Sequence, residues 1–224
     1  MNSFTWTTTP HIALLDYGAG NLYSAANALT QAGAHVTVTR DRDEVAAADG
    51  LVVPGVGAYA ACMESLSTVG GTEMIWERIE RGAPVLGICL GLQLMFEHGL
   101  ENGVDTTGVG YWPGVVESLN TAPLPHMGWN TVDIPEGSRY FAGVSATDRV
   151  YFVHSYGALS FTARSGGEDA LVTWAEHGGV RFVAAIEDGP VWASQFHPEK
   201  SGAVGLRLLH NWLTHVVEGV QQRA

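Results

Sequence analysis

Cys89 lies in the stretch Gly87-Ile-Cys-Leu-Gly-Leu-Gln93, at a corner between an apolar run and a helical one. Pro84-Val-Leu-Gly-Ile88 reads as a short buried strand, and Leu90 to Phe96 as the start of a helix. The glycines at 87 and 91 permit a tight, strained turn that lifts the sulfur above the sheet. That is the geometry of the nucleophile elbow Gly-x-Ser-x-Gly, with sulfur in place of oxygen. The helix that follows aims its positive end at Cys89, which favours thiolate over thiol. Far downstream, Gln195-Phe-His-Pro-Glu199 offers His197 and Glu199, two residues apart at a strand end. Alternation along the strand would put both on one side, where the acid can orient the imidazole. A cysteine, a base and an orienting acid are the parts of covalent acyl transfer. Cys62 has no such setting and reads as structural.

The elements that must position these groups alternate. His11-Ile-Ala-Leu-Leu15, Val36 to Thr39 and Asp49-Gly-Leu-Val-Val53 read as strands ahead of the one leading into Cys89. Leu22, Ala25, Ala26, Leu29 and Ala32 fall at helical spacing, and a further helical region spans about Tyr59 to Arg81. Alternating strands and helices imply right-handed crossovers and an open, mostly parallel α/β sheet flanked by helices. From Val109 to Ser194, short runs separated by Gly, Pro and Asp imply an added antiparallel portion. Ser201 is expected to cap a closing helix whose apolar face carries Val204, Leu208, Trp212 and Val216. Pro54-Gly-Val-Gly57 ends a parallel strand, where open α/β sheets place their ligands. Its glycines permit backbone N–H groups to face a developing oxyanion.

The 224 residues suffice for one sizeable core, so a single domain over residues 10–224 is expected, with a loose tail from Met1 to Thr9. A 46% hydrophobic and 15% charged composition is that of an ordinary globular chain. A net charge of −12, with only 11 Lys and Arg, argues against nucleic-acid or anionic-membrane partners. Two cysteines give no disulfide framework, the N-terminus lacks signal-peptide features, and the longest apolar stretch is too short to span a bilayer. A cytoplasmic location is expected. Tyr23 occupies the third glycine position of Gly-x-Gly-x-x-Gly after Gly18, which rejects a dinucleotide site, and the histidines lack metal-ligand spacing. Neither a metal nor a cofactor is expected.

At these residues the chain resembles the class I, triad-type glutamine amidotransferases, with a flavodoxin-like fold. Gly87 to Gln93 and Gln195 to Ser201 carry the class. Asp16-Tyr-Gly-Ala-Gly-Asn-Leu22, Pro54 to Gly57, Pro125-His-Met-Gly-Trp-Asn130 and Tyr151-Phe-Val-His-Ser-Tyr156 narrow it to the glutaminase subunits of imidazole glycerol phosphate synthases. The resemblance implies Cys89 as nucleophile, His197 as general base and acid, and Glu199 as orienting acid. It implies oxyanion donors at the N–H groups of Leu90 and Val56, in a loop with Gly55 and Gly57. Gln93, Glu101, Ser155 and Tyr156 would hold the α-amino and α-carboxylate ends of L-glutamine. The implied partner is a (β/α)8-barrel cyclase on another polypeptide, met through Asn21, Trp129 and Lys200. A glutaminase subunit for anthranilate or pyridoxal phosphate synthesis, or a non-catalytic binding subunit of the same fold, are the rival readings. Departures from the family pattern are Leu92, Gly157 and an open stretch from Ala163 to Gly179.

Overall fold

The computed structural model describes residues 8–18, 21–164 and 170–223. Most of the tail expected at Met1 to Thr9, part of the Asp16 to Asn21 turn and part of the Ala163 to Gly179 stretch lie outside the described residues. The chain begins with β1 (His11–Leu15), α1 (Leu22–Gln31), β2 (His35–Thr39), α2 (Arg42–Ala47) and β3 (Gly50–Val53). Then come α3 (Tyr59–Thr68), α4 (Gly71–Glu80), β4 (Val85–Ile88) and α5 (Leu90–Leu94). The second half holds β5 (Phe96–Glu101), β6 (Val104–Thr107), β7 (Trp112–Ser118), β8 (His126–Asn130), β9 (Val150–His154) and β10 (Tyr156–Ala158). It closes with β11 (Leu171–His177), β12 (Val180–Asp188), β13 (Val191–Ser194) and α6 (Gly202–Arg223).

The main sheet has the order β11-β12-β13-β4-β3-β1-β2, in which β13, β4, β3, β1 and β2 run parallel. β12 and β11 extend it antiparallel. β3 and β4 are buried along their whole length, as parallel strands covered on both faces must be. Alternate residues of β1 serve the two sides: Ala13 and Leu15 join one core cluster, Ile12 and Leu14 the other. α6 seals the second cluster with Leu208, Trp212, Leu213 and Val216. A smaller sheet, β10-β7-β5-β6, and the antiparallel ribbon β8-β9 stand beside the main one. The mostly parallel sheet with an antiparallel portion is therefore as expected.

Two local expectations are corrected. The helix from Tyr59 breaks at Gly70, whose φ of +70° ends one segment before the next begins. The helix after Cys89 stops at Leu94 rather than passing Phe96, because Phe96 already belongs to β5. β5 and β6 pair across Asn102-Gly103, both at positive φ, as a two-residue hairpin turn requires. α2 is capped by Asp41, whose carboxylate accepts from the N–H groups of Asp43 and Glu44.

The elbow is pressed directly onto β3. A methyl group at Gly91 would stand 1.9 Å from the carbonyl oxygen of Val53, which is backbone and cannot step aside. Gly91→Ala is therefore expected to force α5 off the end of β3 and to cost about 3 kcal/mol, the upper part of the overpacking range. Urea denaturation checks this, and an unchanged midpoint would rule out the contact as drawn.

Candidate active site

The C-terminal ends of β3, β4 and β13 converge on one cleft of about 250 Å³, lined by Cys89, His197 and residues of β5, β7 and β10 from the smaller sheet. Cys89 sits between β4 and α5 at φ +55°, ψ −110°, a conformation that costs energy in any residue but glycine. Its N–H donates to Ser194 O at 2.7 Å, which locks the elbow to the segment carrying His197 and Glu199. The thiol side chain is buried yet faces the cleft.

His197 and Glu199 meet, though not by strand alternation. Pro198–Lys200 forms a single 3-10 turn, started by a proline whose fixed φ suits the first helical position. The turn brings His197 Nδ1 to 2.7 Å from Glu199 Oε1, with both side chains only 3% exposed. A carboxylate can only accept, so Nδ1 carries the proton and Nε2 is left for the cleft. Nε2 makes no other hydrogen bond. Burial opposes a charge on this ring, but the nearby Cys89 sulfur and the hydrogen-bonded Glu199 carboxylate outweigh it and push the imidazole up to about 9. Ser201 does not cap α6 through its side chain as expected. Its hydroxyl donates to His197 O at 2.7 Å and accepts from Tyr151 N–H at 3.0 Å, pinning the histidine backbone to β9.

The loop after β3 has a defined and unexpected state. Leu90 N–H points at Gly55 O, 3.4 Å away. The Gly55–Val56 peptide is trans and planar, so the Val56 N–H faces away from the elbow. Both anticipated oxyanion donors are thus withheld. The flanking peptides are pinned: Tyr17 Oη donates to Pro54 O, and Cys62 Sγ donates to Val56 O at 3.2 Å. Cys62, read from sequence as merely structural, holds this loop. Val56 and Gly57 line the cleft, whereas Gly55 packs beneath it against Leu90 and Gly91.

Gln93, Glu101, Ser155 and Tyr156 all line the cleft. Gln93 is buried, its amide donating to Tyr156 O at 2.8 Å and to Gln195 Oε1 at 2.9 Å. Glu101 sits on β5, and one of its oxygens accepts from Tyr59 N–H at 2.6 Å at the start of α3. Lys200 is at the cleft rim, with its ammonium 6.0 Å from the Tyr151 ring centroid. Asn21 reaches the site itself: its amide donates to Glu199 Oε1 at 3.3 Å, across 178 positions of sequence. Trp129 is 52% exposed on β8 beside Tyr151, which excludes a core role for it. Behind the cleft lies a cluster that sequence reasoning missed: His126 stacks on His177 and approaches His154 Nε2 to 3.1 Å. The register of β8 and β9 places His126 opposite His154, but only the pairing of the two strands reveals it.

A cysteine at a strained elbow, an oriented imidazole and a loop that can supply backbone donors are equipment for acyl transfer from an amide. The model of the glutamine amidotransferase class-I family matches residues 13–216. The chain belongs to that family. The imidazole glycerol phosphate synthase subunit HisH of Nocardia farcinica is 57% identical over 208 residues, covering 92% of this chain and 98% of the relative. The like-named subunit of Thermobifida fusca is 52% identical over 91% of this chain and 98% of its own. Among solved structures, a glutamine amidotransferase superposes with a TM-score of 0.70 at 19% identity, covering 92% of this chain and 98% of that one. PurLQS of Thermotoga maritima gives 0.68 at 16% identity, over 93% and 99%. These two show the shared fold. The amidotransferase fold expected from the sequence is thereby established. No helix among the described residues is long and apolar enough to cross a membrane.

Proposed function

We propose that this chain is the glutaminase subunit of a cytoplasmic imidazole glycerol phosphate synthase, hydrolysing L-glutamine to glutamate and ammonia for a cyclase partner in histidine biosynthesis. The observation that carries the chemistry is the buried His197–Glu199 pair facing the cleft beside Cys89. The Cys89 thiolate attacks the side-chain amide carbon, and the electron pair of the C=O bond moves to oxygen. As that oxyanion collapses, the C–N bond breaks and His197 gives its proton to the leaving ammonia. His197 then removes a proton from water, which attacks the γ-glutamyl thioester and returns the electron pair to sulfur. Gln93, Glu101, Ser155 and Tyr156 hold the amino-acid end of the substrate, and Leu90 and Val56 supply the oxyanion donors once the loop turns. The name shared by relatives at 50–57% identity favours this reading over a glutaminase for anthranilate or pyridoxal phosphate synthesis.

Ammonia released to water would be protonated and lost, so a partner must cover the cleft mouth. Met127 and Trp129, 63% and 52% exposed on the outer face of β8, with Lys200 at the rim, form the surface for a (β/α)8-barrel cyclase. Asn21 serves this face and Glu199 together. Co-purification with the cyclase, and glutamate release that depends on it, test the reading. Trp129→Ala is expected to weaken the complex by about 2 kcal/mol, the level of an aromatic interface anchor. Unchanged affinity by calorimetry would remove Trp129 from the interface.

The Glu199 carboxylate also sets a pH dependence. Because the His197 imidazolium is favoured in the folded state up to about 9, its stabilisation is complete below the ordinary histidine value of about 6.5. It is lost as pH rises through about 9. Glu199→Gln keeps a hydrogen-bonding group at Nδ1 but removes the charge, so the NMR titration of His197 is expected to move to lower pH. Turnover is expected to fall by less than for Cys89→Ala. Wild-type turnover across the pH range in this variant would place the orienting acid elsewhere.

A further inference from the structure

Gln195 precedes the catalytic histidine by two residues and is fully buried. Its amide Nε2 lies 3.7 Å from Cys89 Sγ, within hydrogen-bonding reach of sulfur. Which end of an amide faces a neighbour depends on the partners around it, and here they leave one arrangement. Tyr156 O is a carbonyl, so Gln93 must turn its NH2 group toward it. The same NH2 group reaches Gln195 Oε1, which fixes that oxygen toward Gln93 and the Gln195 NH2 group toward the sulfur. The far side of Tyr156 O is also filled, by His154 Nδ1 at 2.9 Å. His154 therefore donates from Nδ1 and accepts at Nε2 from His126 Nδ1, 3.1 Å away. Burial pushes His154 down to about 3 and His126 down to about 4, so both rings are neutral at physiological pH and this order of donors holds.

We propose that Gln195 is a further catalytic residue, whose side-chain N–H holds the Cys89 sulfur as an anion and is aimed at it by Gln93 and the Tyr156 carbonyl. The assignment rests on the reading of Cys89 as the nucleophile. A hydrogen bond to an ion is stronger than one to a neutral group. The contact therefore favours the two states in which sulfur is charged: the free thiolate before attack, and the thiolate that leaves when water cleaves the thioester. It weakens in between, when sulfur is bonded to the γ-glutamyl carbon. With the Leu90 and Val56 donors withheld, this N–H is a donor already in place on the reacting atom.

The test uses the isolated chain and iodoacetamide, whose carbon forms a bond to sulfur as iodide departs with its electron pair. Gln195→Met keeps length and volume but has no donor, and alkylation of Cys89 at neutral pH is expected to slow about ten- to hundredfold. Gln195→Glu is expected to be slower still, because a carboxylate would face the sulfur. Alkylation of Gln195→Met at the wild-type rate, or of Gln195→Glu faster than Gln195→Met, would overturn the proposal. If either variant fails to fold by circular dichroism, the Gln195 side-chain amide protons of the wild-type chain decide by NMR: they are expected to shift on alkylation of Cys89, and immobility refutes the contact. Failure of the glutaminase reading has a different signature, namely no Cys89-dependent glutamate release from the wild-type complex whatever Gln195 does.

Discussion

Cys89→Ala is expected to lose glutamine hydrolysis by about a thousandfold or more, the usual consequence of deleting a covalent nucleophile. The sulfur lies at the elbow beside His197, where it can form the acyl bond, and neither Gln195 nor His197 can replace it. Alanine fits the elbow, since it is smaller than cysteine and the backbone bond from residue 89 N–H to Ser194 O, which holds the elbow, is left intact by the substitution. Fold and partner binding are therefore expected to persist, so the loss is chemical. Steady-state glutamate release from the loaded complex checks it. Activity within about tenfold of wild type would exclude Cys89 as the nucleophile.

The second large effect concerns the loop. In the isolated chain the Gly55 carbonyl occupies the Leu90 N–H, and the Val56 N–H faces away, so the developing oxyanion would meet neither of these two donors. Rotating the Gly55–Val56 peptide exchanges one for the other: it releases Leu90 N–H and turns Val56 N–H toward the sulfur. Tyr17 and Cys62 hold the carbonyls on either side, which confines the rotation to that one peptide. One donor gained is worth roughly 3–4 kcal/mol, or about a hundred- to thousandfold in rate. Binding of a cyclase loaded with its nucleotide substrate is expected to stimulate glutaminase turnover by at least that factor. Coupling of this kind prevents glutamine from being consumed without an acceptor for its ammonia. Full activity of the chain alone would refute the switch.

Much of this site was legible in the sequence because its parts are local. Glycines flanking Cys89 report the elbow, His197 and Glu199 are two residues apart, and alternating strand and helix patterns give the parallel sheet that brings the two segments together. Even so, the His197–Glu199 contact arises from a proline-started turn, where strand alternation was expected. What sequence could not reveal depends on distant pairings. Asn21 meets Glu199, Gln195 meets Cys89, and His126 meets His154 only because β1, β4, β13 and the β8–β9 ribbon are assembled. Periodicity over a few residues carries no trace of such contacts. The β5–β6 hairpin is different: Asn102-Gly103 between two short runs was a readable signal, masked by the assumption that the helix after Cys89 continues. The withheld oxyanion donors lie beyond sequence altogether, since Pro54-Gly-Val-Gly57 permits both peptide orientations.

The most direct measurement is mass spectrometry of the complex, acid-quenched during turnover of glutamine with the loaded cyclase. A γ-glutamyl adduct on the peptide containing Cys89, accumulating in Glu199→Gln and absent from Cys89→Ala, is the predicted result. An adduct on Cys62, or sustained ammonia release from Cys89→Ala with no adduct at all, would contradict it.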